Sequence, residues 1–187
     1  MNAVAPTPAY PPSPYSSPLG KADIDSHTLS VLVDNEPGVL ARVVGLFSGR
    51  GYNIESLTVA EVAHAEHLSR ITIVTSGTRE AIEQVRHQLE RLVPIHSVTD
   101  LTLTRNAIER ELAMVKVRGK GEARVEALRL ADAFRARVID ATTESFVFEI
   151  TGGPAKIDQF VELMRPVGLV EVSRTGVAAL ARGPDGM

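Results

Sequence analysis

The chain has 187 residues, 44% of them hydrophobic and 23% charged, with a net charge of −3 and no cysteine. That composition is globular, and the length suits one ordinary domain or two small ones. It excludes disulfides, thiolate metal sites and cysteine nucleophiles, and with Lys scarce and Arg scattered it offers no basic stripe for nucleic acid.

Residues 1–26, MNAVAPTPAYPPSPYSSPLGKADIDS, are rich in Pro, Ser and Ala and show no apolar periodicity. They predict a flexible, partly extended tail. The tail has no charged n-region followed by an apolar core, so it does not read as a secretory signal, and the first Arg is Arg42, unlike an Arg-rich presequence. No apolar run approaches the roughly 18–20 residues that span a membrane. The expected setting is the cytoplasm.

HTLSVLV (27–33) is short, β-branched and alternating, which predicts a strand. NEPG follows, and then Val39, Leu40, Val43, Val44 and Phe47 recur at helical spacing until Gly49 and Gly51 end the helix. YNIESLTVAEV is strand-like, AHAE is its turn, and HLSRITIVTSG is the hairpin partner, with Leu68, Ile71 and Ile73 alternating. TREAIEQVRHQLERLV is a second amphipathic helix, with Ile82, Val85, Leu89 and Leu92 as its stripe and Pro94 as its stop. IHSVTDLTLT is a fourth strand. The order β-α-β-β-α-β therefore covers residues 27–104.

After a polar link at 105–111, RNAIERE, the order recurs over 112–183, with a short tail at 184–187. LAMVKVRG is a strand. GEARVEALRLADAFRA is a helix with Val125, Leu128 and Ala131 on one side. RVIDAT and SFVFEITG form a hairpin, PAKIDQFVELMRP is a helix, and VGLVEVSRTGVAAL is a single last strand. The predicted class is α+β: two ferredoxin-like βαββαβ sandwiches in tandem. A four-stranded sheet with both helices on one side leaves its other face bare. Apolar residues are expected on both faces, Leu29, Val31 and Val33 against Leu32 and Val59. Such faces and edges invite pairing, so a homodimer is expected.

Catalytic constellations are thin. His64 and His67 form an H-x-x-H pair in a hairpin turn without a third ligand, so they read as a solvated turn rather than a metal site. His27, His87 and His96 are isolated, and no pair of carboxylates looks inward. RGKGEA (118–123) and TGGPAK (151–156) are strand-to-helix turns without the spacing of a phosphate loop. The catalytic and metal expectations are none.

NEPG (35–38) is different. Pro37 suits the first position of a helix. The amides of Gly38, Val39 and Leu40 then lie in a first turn without internal acceptors, where the helix dipole adds about 0.3–1 kcal/mol for an anion. Gly38 lacks a Cβ, and Asn35 brings a donor and an acceptor beside it. Asn53, after the helix, is a second amide. Amides for a carboxylate and Asn oxygens for an ammonium suit an α-amino acid. On the residues alone, an Asn-capped helix with nothing bound is the reading to prefer.

The run DNEPGVLARVVGLFSGRGYNIESLTV resembles an ACT domain, a small amino-acid sensor. RVVGLFSGRGYNIESLTV followed by LSRITIV is more narrowly similar to the small, regulatory subunit of acetolactate synthase, also called acetohydroxyacid synthase. The likeness continues through AMVKVR, RVIDAT, ITGGPAKIDQF and VEVSRTGVAALARG, over residues 27–183. The resemblance implies that the first sandwich is an ACT domain. It implies a non-catalytic partner of a large subunit that holds thiamine diphosphate, magnesium and FAD and condenses 2-oxo acids toward valine, leucine and isoleucine. This chain would carry no cofactor, would raise that activity, and would confer inhibition by valine bound between two ACT domains. By position, Asn35, Gly38, Val39 and Leu40 of one chain would face Asn53 and Ile54 of the other. A stand-alone ACT-type sensor serving a different enzyme is the alternative. The Pro-rich tail lies outside the family pattern.

Overall fold

The computed structural model describes residues 24–103 and 107–184; the expectations for 1–23, 104–106 and 185–187 lie outside the described residues. The first half runs β1 (Asp25–Asp34), α1 (Val39–Arg50), β2 (Ser56–Ala63), β3 (Leu68–Gly77), α2 (Arg79–Leu89) and β4 (Ile95–Asp100). The second runs β5 (Ile108–Arg118), α3 (Glu122–Phe134), β6 (Arg137–Ala141), β7 (Ser145–Gly152), α4 (Pro154–Gly168), β8 (Leu169–Arg174) and β9 (Ala178–Leu180). The sheets are antiparallel, ordered β2-β3-β1-β4 and β6-β7-β5-β8, with β9 beside the start of β5. The tandem ferredoxin-like α+β architecture is the one expected.

Period-2 alternation explains the strands and period-3.6 stripes explain the helices. Leu29, Val31 and Val33 of β1 and Ile71 and Ile73 of β3 point to one face and are buried there. Val39, Val43 and Phe47 of α1, and Ile82, Val85 and Leu89 of α2, close over them. Thr78 caps α2 by accepting from the Ala81 N–H at 3.3 Å. Removing such side chains from water contributes about 1.5–3 kcal/mol each. In the second half Phe148, Ile150, Ile157, Phe160 and Met164 form the equivalent core.

Several expectations fail in detail, each for a physical reason. Val125 and Leu128 of α3 are exposed; Ala127 and Ala131 are buried, with Leu130 and Phe134 packed beside them. Ala127, Leu130, Ala131 and Phe134 form the i, i+3, i+4, i+7 stripe that packs beside α4, whereas the same spacing from Val125 brings in Arg129 and Asp132. Val59 shares a face with Leu57, whose partners are Ile73 and then Leu29, so it lies on the helix side at the sheet edge and not opposite Val31. Part of the link at 105–111 is strand, because Ile108–Arg110 pair with β9. The expected single last strand breaks at Gly176, whose φ is +84°.

That break matters for the open face of the first sheet, which is not bare. Thr28, Ser30 and Thr72 are buried there. Leu101, Val177 and Ala179 form a small third core between the sheets, with Val74, Ala107 and Ala181 against it. His27 is not isolated either: its ring lies buried 2.7 Å from the Asp100 carboxylate.

Candidate functional site

The β1–α1 turn is built by register. Asp34 ends β1 opposite Leu68, and Leu68 in turn lies opposite Ala63 at the end of β2. The Asn35 N–H donates to the His67 carbonyl at 2.6 Å, tying the turn to the β2–β3 hairpin. Gly38 is the N-cap, at φ +90° and ψ −10°, with no side-chain cap. Helical dihedrals begin at Val39, so Pro37 sits one residue outside the N-cap and not at the first helical position as its sequence position suggested. An L-residue would pay a steric cost at Gly38's φ, which is why glycine ends the turn.

Among the described residues, no backbone acceptor meets the amides of Gly38, Leu40 or Ala41. The Val39 N–H reaches only the Glu36 carbonyl, at 3.5 Å. The turn is exposed, and nothing lies within 4 Å of where a Gly38 Cβ would stand. Unpaired amides at the positive end of a helix dipole form an anion site. The sequence-derived residues therefore divide. Gly38 and Leu40 present free amides, and the Leu40 side chain is 41% exposed beside them. Asn35 is exposed at the same place. Val39 contributes no side chain to the site, since it is buried in the core.

Asn53 and Ile54 lie at the other end of α1, a helix of 12 residues and so about 18 Å long. Asn53 is exposed, and its carbonyl accepts from Thr75 Oγ1 at 2.6 Å. Ile54 packs half-buried against the first core. One chain therefore does not bring Asn35 and Gly38 together with Asn53. Their joint site is absent within the described single chain.

A second concavity, about 870 Å³, lies between the two sheets and is lined by Thr28, Glu55, Glu109, Glu111, Asp158 and Arg174 among others. Sequence reading missed it, and nothing local could have signalled it, because its partners are far apart in the chain. Each carboxylate already has a donor. Thr28 Oγ1 donates to Glu109 at 2.6 Å, Ser76 Oγ donates to Glu55, and Arg174 donates to both Glu111 and Asp158. Hydrogen bonding to Glu111 pushes the Arg174 guanidinium further above its ordinary range. The seam is thus an internally satisfied polar joint between the halves. His64 and His67 stand 6.2 Å apart by ring centroid, His64 bonded to Glu61, and among the described residues no His, Asp and Glu group has the form of a metal site.

Comparison with known proteins bears on both halves of the chain. Residues 29–97 match the family model of the AHAS small subunit-like ACT domain, and residues 110–183 match that of the small subunit of acetolactate synthase. A probable acetolactate synthase small subunit from Archaeoglobus fulgidus is 46% identical over 157 residues, which is 84% of this chain and 97% of that one. The acetolactate synthase small subunit of Mycobacterium leprae is 43% identical over 164 residues, 88% of this chain and 96% of that one. A crystal structure of the acetolactate synthase small subunit from Thermotoga maritima superposes with a TM-score of 0.76 at 38% identity, covering 86% of this chain and 99% of that one.

Proposed function

This chain belongs to the acetolactate synthase small-subunit family, and we propose that it activates the catalytic subunit of that enzyme and carries its feedback inhibition by valine. In this reading it is not itself a catalyst and works in the cytoplasm. Thiamine diphosphate, magnesium and FAD belong to the catalytic subunit, and none to this chain. Two copies form a homodimer through their ACT domains, and valine binds between them.

The observation that carries the reading is the arrangement of two features around β2. The free amides at Gly38 lie at the end of the sheet where β2 finishes, because Asp34, Leu68 and Ala63 align there. Asn53 and Ile54 lie where β2 begins. In the described chain the far edge of β2 has no partner strand. If the β2 edges of two copies pair antiparallel about a two-fold axis, the start of one β2 meets the end of the other. Asn53 and Ile54 of one copy then arrive beside Asn35 and Gly38 of its mate. The same operation makes two equal sites.

Valine fits such a site in chemical terms. Its carboxylate takes the Gly38 and Leu40 amides, and its ammonium takes an Asn side-chain oxygen. Leu40 and Ile54 supply an apolar niche in which each methylene is worth about 1–3 kcal/mol. Regulation needs only that valine favour one arrangement of the complex. A differential of about 1–3 kcal/mol gives a 5–150-fold change in coupled affinity.

The test is to mix the purified chain with its catalytic subunit and follow acetolactate formation from pyruvate, with and without valine. The reading expects a higher rate with the chain present and a lower one when valine is added. No change in rate and no response to valine would exclude it in favour of a sensor that serves another enzyme.

A further inference from the structure

Strand β2 is hydrogen-bonded to Val177 of the second half of the chain, and that contact adjoins the proposed effector residues. Ser56 Oγ accepts from the Val177 N–H at 2.9 Å. Thr58 Oγ1 donates to the Val177 carbonyl at 2.8 Å. Two hydroxyls on one strand thus hold both polar groups of a single peptide residue from the other domain. The Val177 side chain is buried beside them in the small core with Leu101. Gly176 closes the contact: a Cβ there would stand 2.7 Å from Ser56 Oγ and 3.0 Å from Thr58 Cγ2.

We propose that Ser56 and Thr58 are the positioning residues through which an occupied effector site reaches the C-terminal domain. This inference rests on the effector reading above. Ile54 lies two residues before Ser56, and the intervening Glu55 is fixed to β3 by its N–H, which donates to the Val74 carbonyl at 2.8 Å. A ligand that grips Asn53 and Ile54 therefore pulls on a short, tethered segment that ends at the Ser56 hydroxyl. The contact beyond it has no slack, since Gly176 already fills the space. A shift of β2 must either carry the 175–181 segment with it or break the two Val177 hydrogen bonds. Packed contacts of this kind switch between arrangements rather than deform gradually.

What moves with Val177 is substantial. The Thr175 N–H donates to the Leu112 carbonyl at 3.0 Å, and Ala178–Leu180 pair with Arg110–Ile108. Displacing Val177 therefore tugs on residues 108–112 at the start of β5, an interior strand of the second sheet. In this proposal the clamp is the two-state element that coupling between two sites requires.

The test compares the full chain with the double variant Ser56→Ala/Thr58→Val, which removes both hydroxyls and keeps the shapes close. Three readouts are taken: valine binding by calorimetry, activation of the catalytic subunit, and depth of inhibition at saturating valine. We expect binding within about threefold of wild type and retained activation, but inhibition reduced to less than half its depth, as loss of a coupling free energy predicts. Gly176→Ala, which wedges the same contact open, should act alike, and thermal melts of both variants separate loss of coupling from loss of fold. Full inhibition depth in both variants, with valine bound, overturns the inference and leaves the effector reading intact. A wild-type chain that binds no valine overturns both.

Discussion

Arg174 grips the Glu111 carboxylate with two nitrogens, at 2.7 and 2.6 Å, although the two residues are 63 positions apart. The Glu111 side chain is 3% exposed and that of Arg174 is 37% exposed. The pair is therefore one buried acid capped by a half-open guanidinium, a fork geometry that matches a carboxylate.

Arg174→Met should destabilise the chain severely for a single change, because it leaves a buried carboxylate unpaired. Breaking a fully buried pair costs roughly 3–5 kcal/mol. Solvent at the Arg174 side reduces this to about 2–3 kcal/mol. Thermal melts should show a midpoint lower by at least ~8 °C, given about 4–8 °C per kcal/mol for a domain of this size. The double variant Glu111→Leu/Arg174→Met should recover most of the loss. A single variant that melts with wild type would refute the assignment.

Helix α3 gives a second test, of packing. Leu128→Ser should be nearly neutral, within about 0.5 kcal/mol, because Leu128 is 41% exposed. Ala131→Asp should cost several kcal/mol by burying a charge in the second core, where Ala131 is 3% exposed. Denaturant titration of the two variants reads the orientation of α3 directly. Equal losses would mean the helix faces its core with the other stripe.

That helix marks the boundary of what the residues disclose on their own. The element order and the first core were legible because β1, α1 and α2 carry strong, single-period patterns. The phase of α3 is easily mistaken, because Val125, Leu128 and Ala131 recur every third residue, whereas the stripe that packs is Ala127, Leu130, Ala131 and Phe134. The free amides at Gly38 were legible as chemistry, since a glycine-ended turn before an apolar helix implies them. Val39 was half-read: its position in the turn was right, but helical period sends its side chain to the core. The contacts of Val177 with Ser56 and Thr58 carried no local signal, because each joins residues about 120 positions apart. Only the break at Gly176 hints at them.

Gly38→Asp and Gly38→Ala separate strain from charge at the proposed effector site. Both impose a left-handed φ on an L-residue, at about 1–2 kcal/mol. Neither added Cβ meets an atom within 4 Å. The Asp variant alone adds a carboxylate where the ligand's should sit. We expect Gly38→Asp to raise the valine midpoint at least tenfold above Gly38→Ala, with activation of the catalytic subunit kept in both. Similar midpoints for the two would place the effector carboxylate elsewhere.

The proposed dimer edge is tested by Val59→Asp. Val59 sits on β2, 46% exposed, with Ile71 as its neighbour on β3 and no described strand on the other side. Around a two-fold axis the new carboxylates approach one another at the pairing edge, and like charges across a strand pair are destabilising. Sedimentation should show a dimer dissociation constant raised at least tenfold, about 1.4 kcal/mol. Unchanged association would move the interface away from β2.

Mixed dimers decide whether each effector site is shared between chains. Gly38→Asp and Asn53→Ala chains should each respond poorly to valine when alone. In a heterodimer of the two, a shared site gathers both lesions at one position and leaves the other site with an intact Gly38 and an intact Asn53. Random pairing at equal ratio then restores about a quarter of all sites, half of the dimers having one good site each. Calorimetry on the refolded mixture should recover that fraction of wild-type valine binding. A site built within one chain predicts no recovery, because every site in the mixture would carry one lesion. The roughly 18 Å of α1 between Gly38 and Asn53 makes the shared arrangement the one expected.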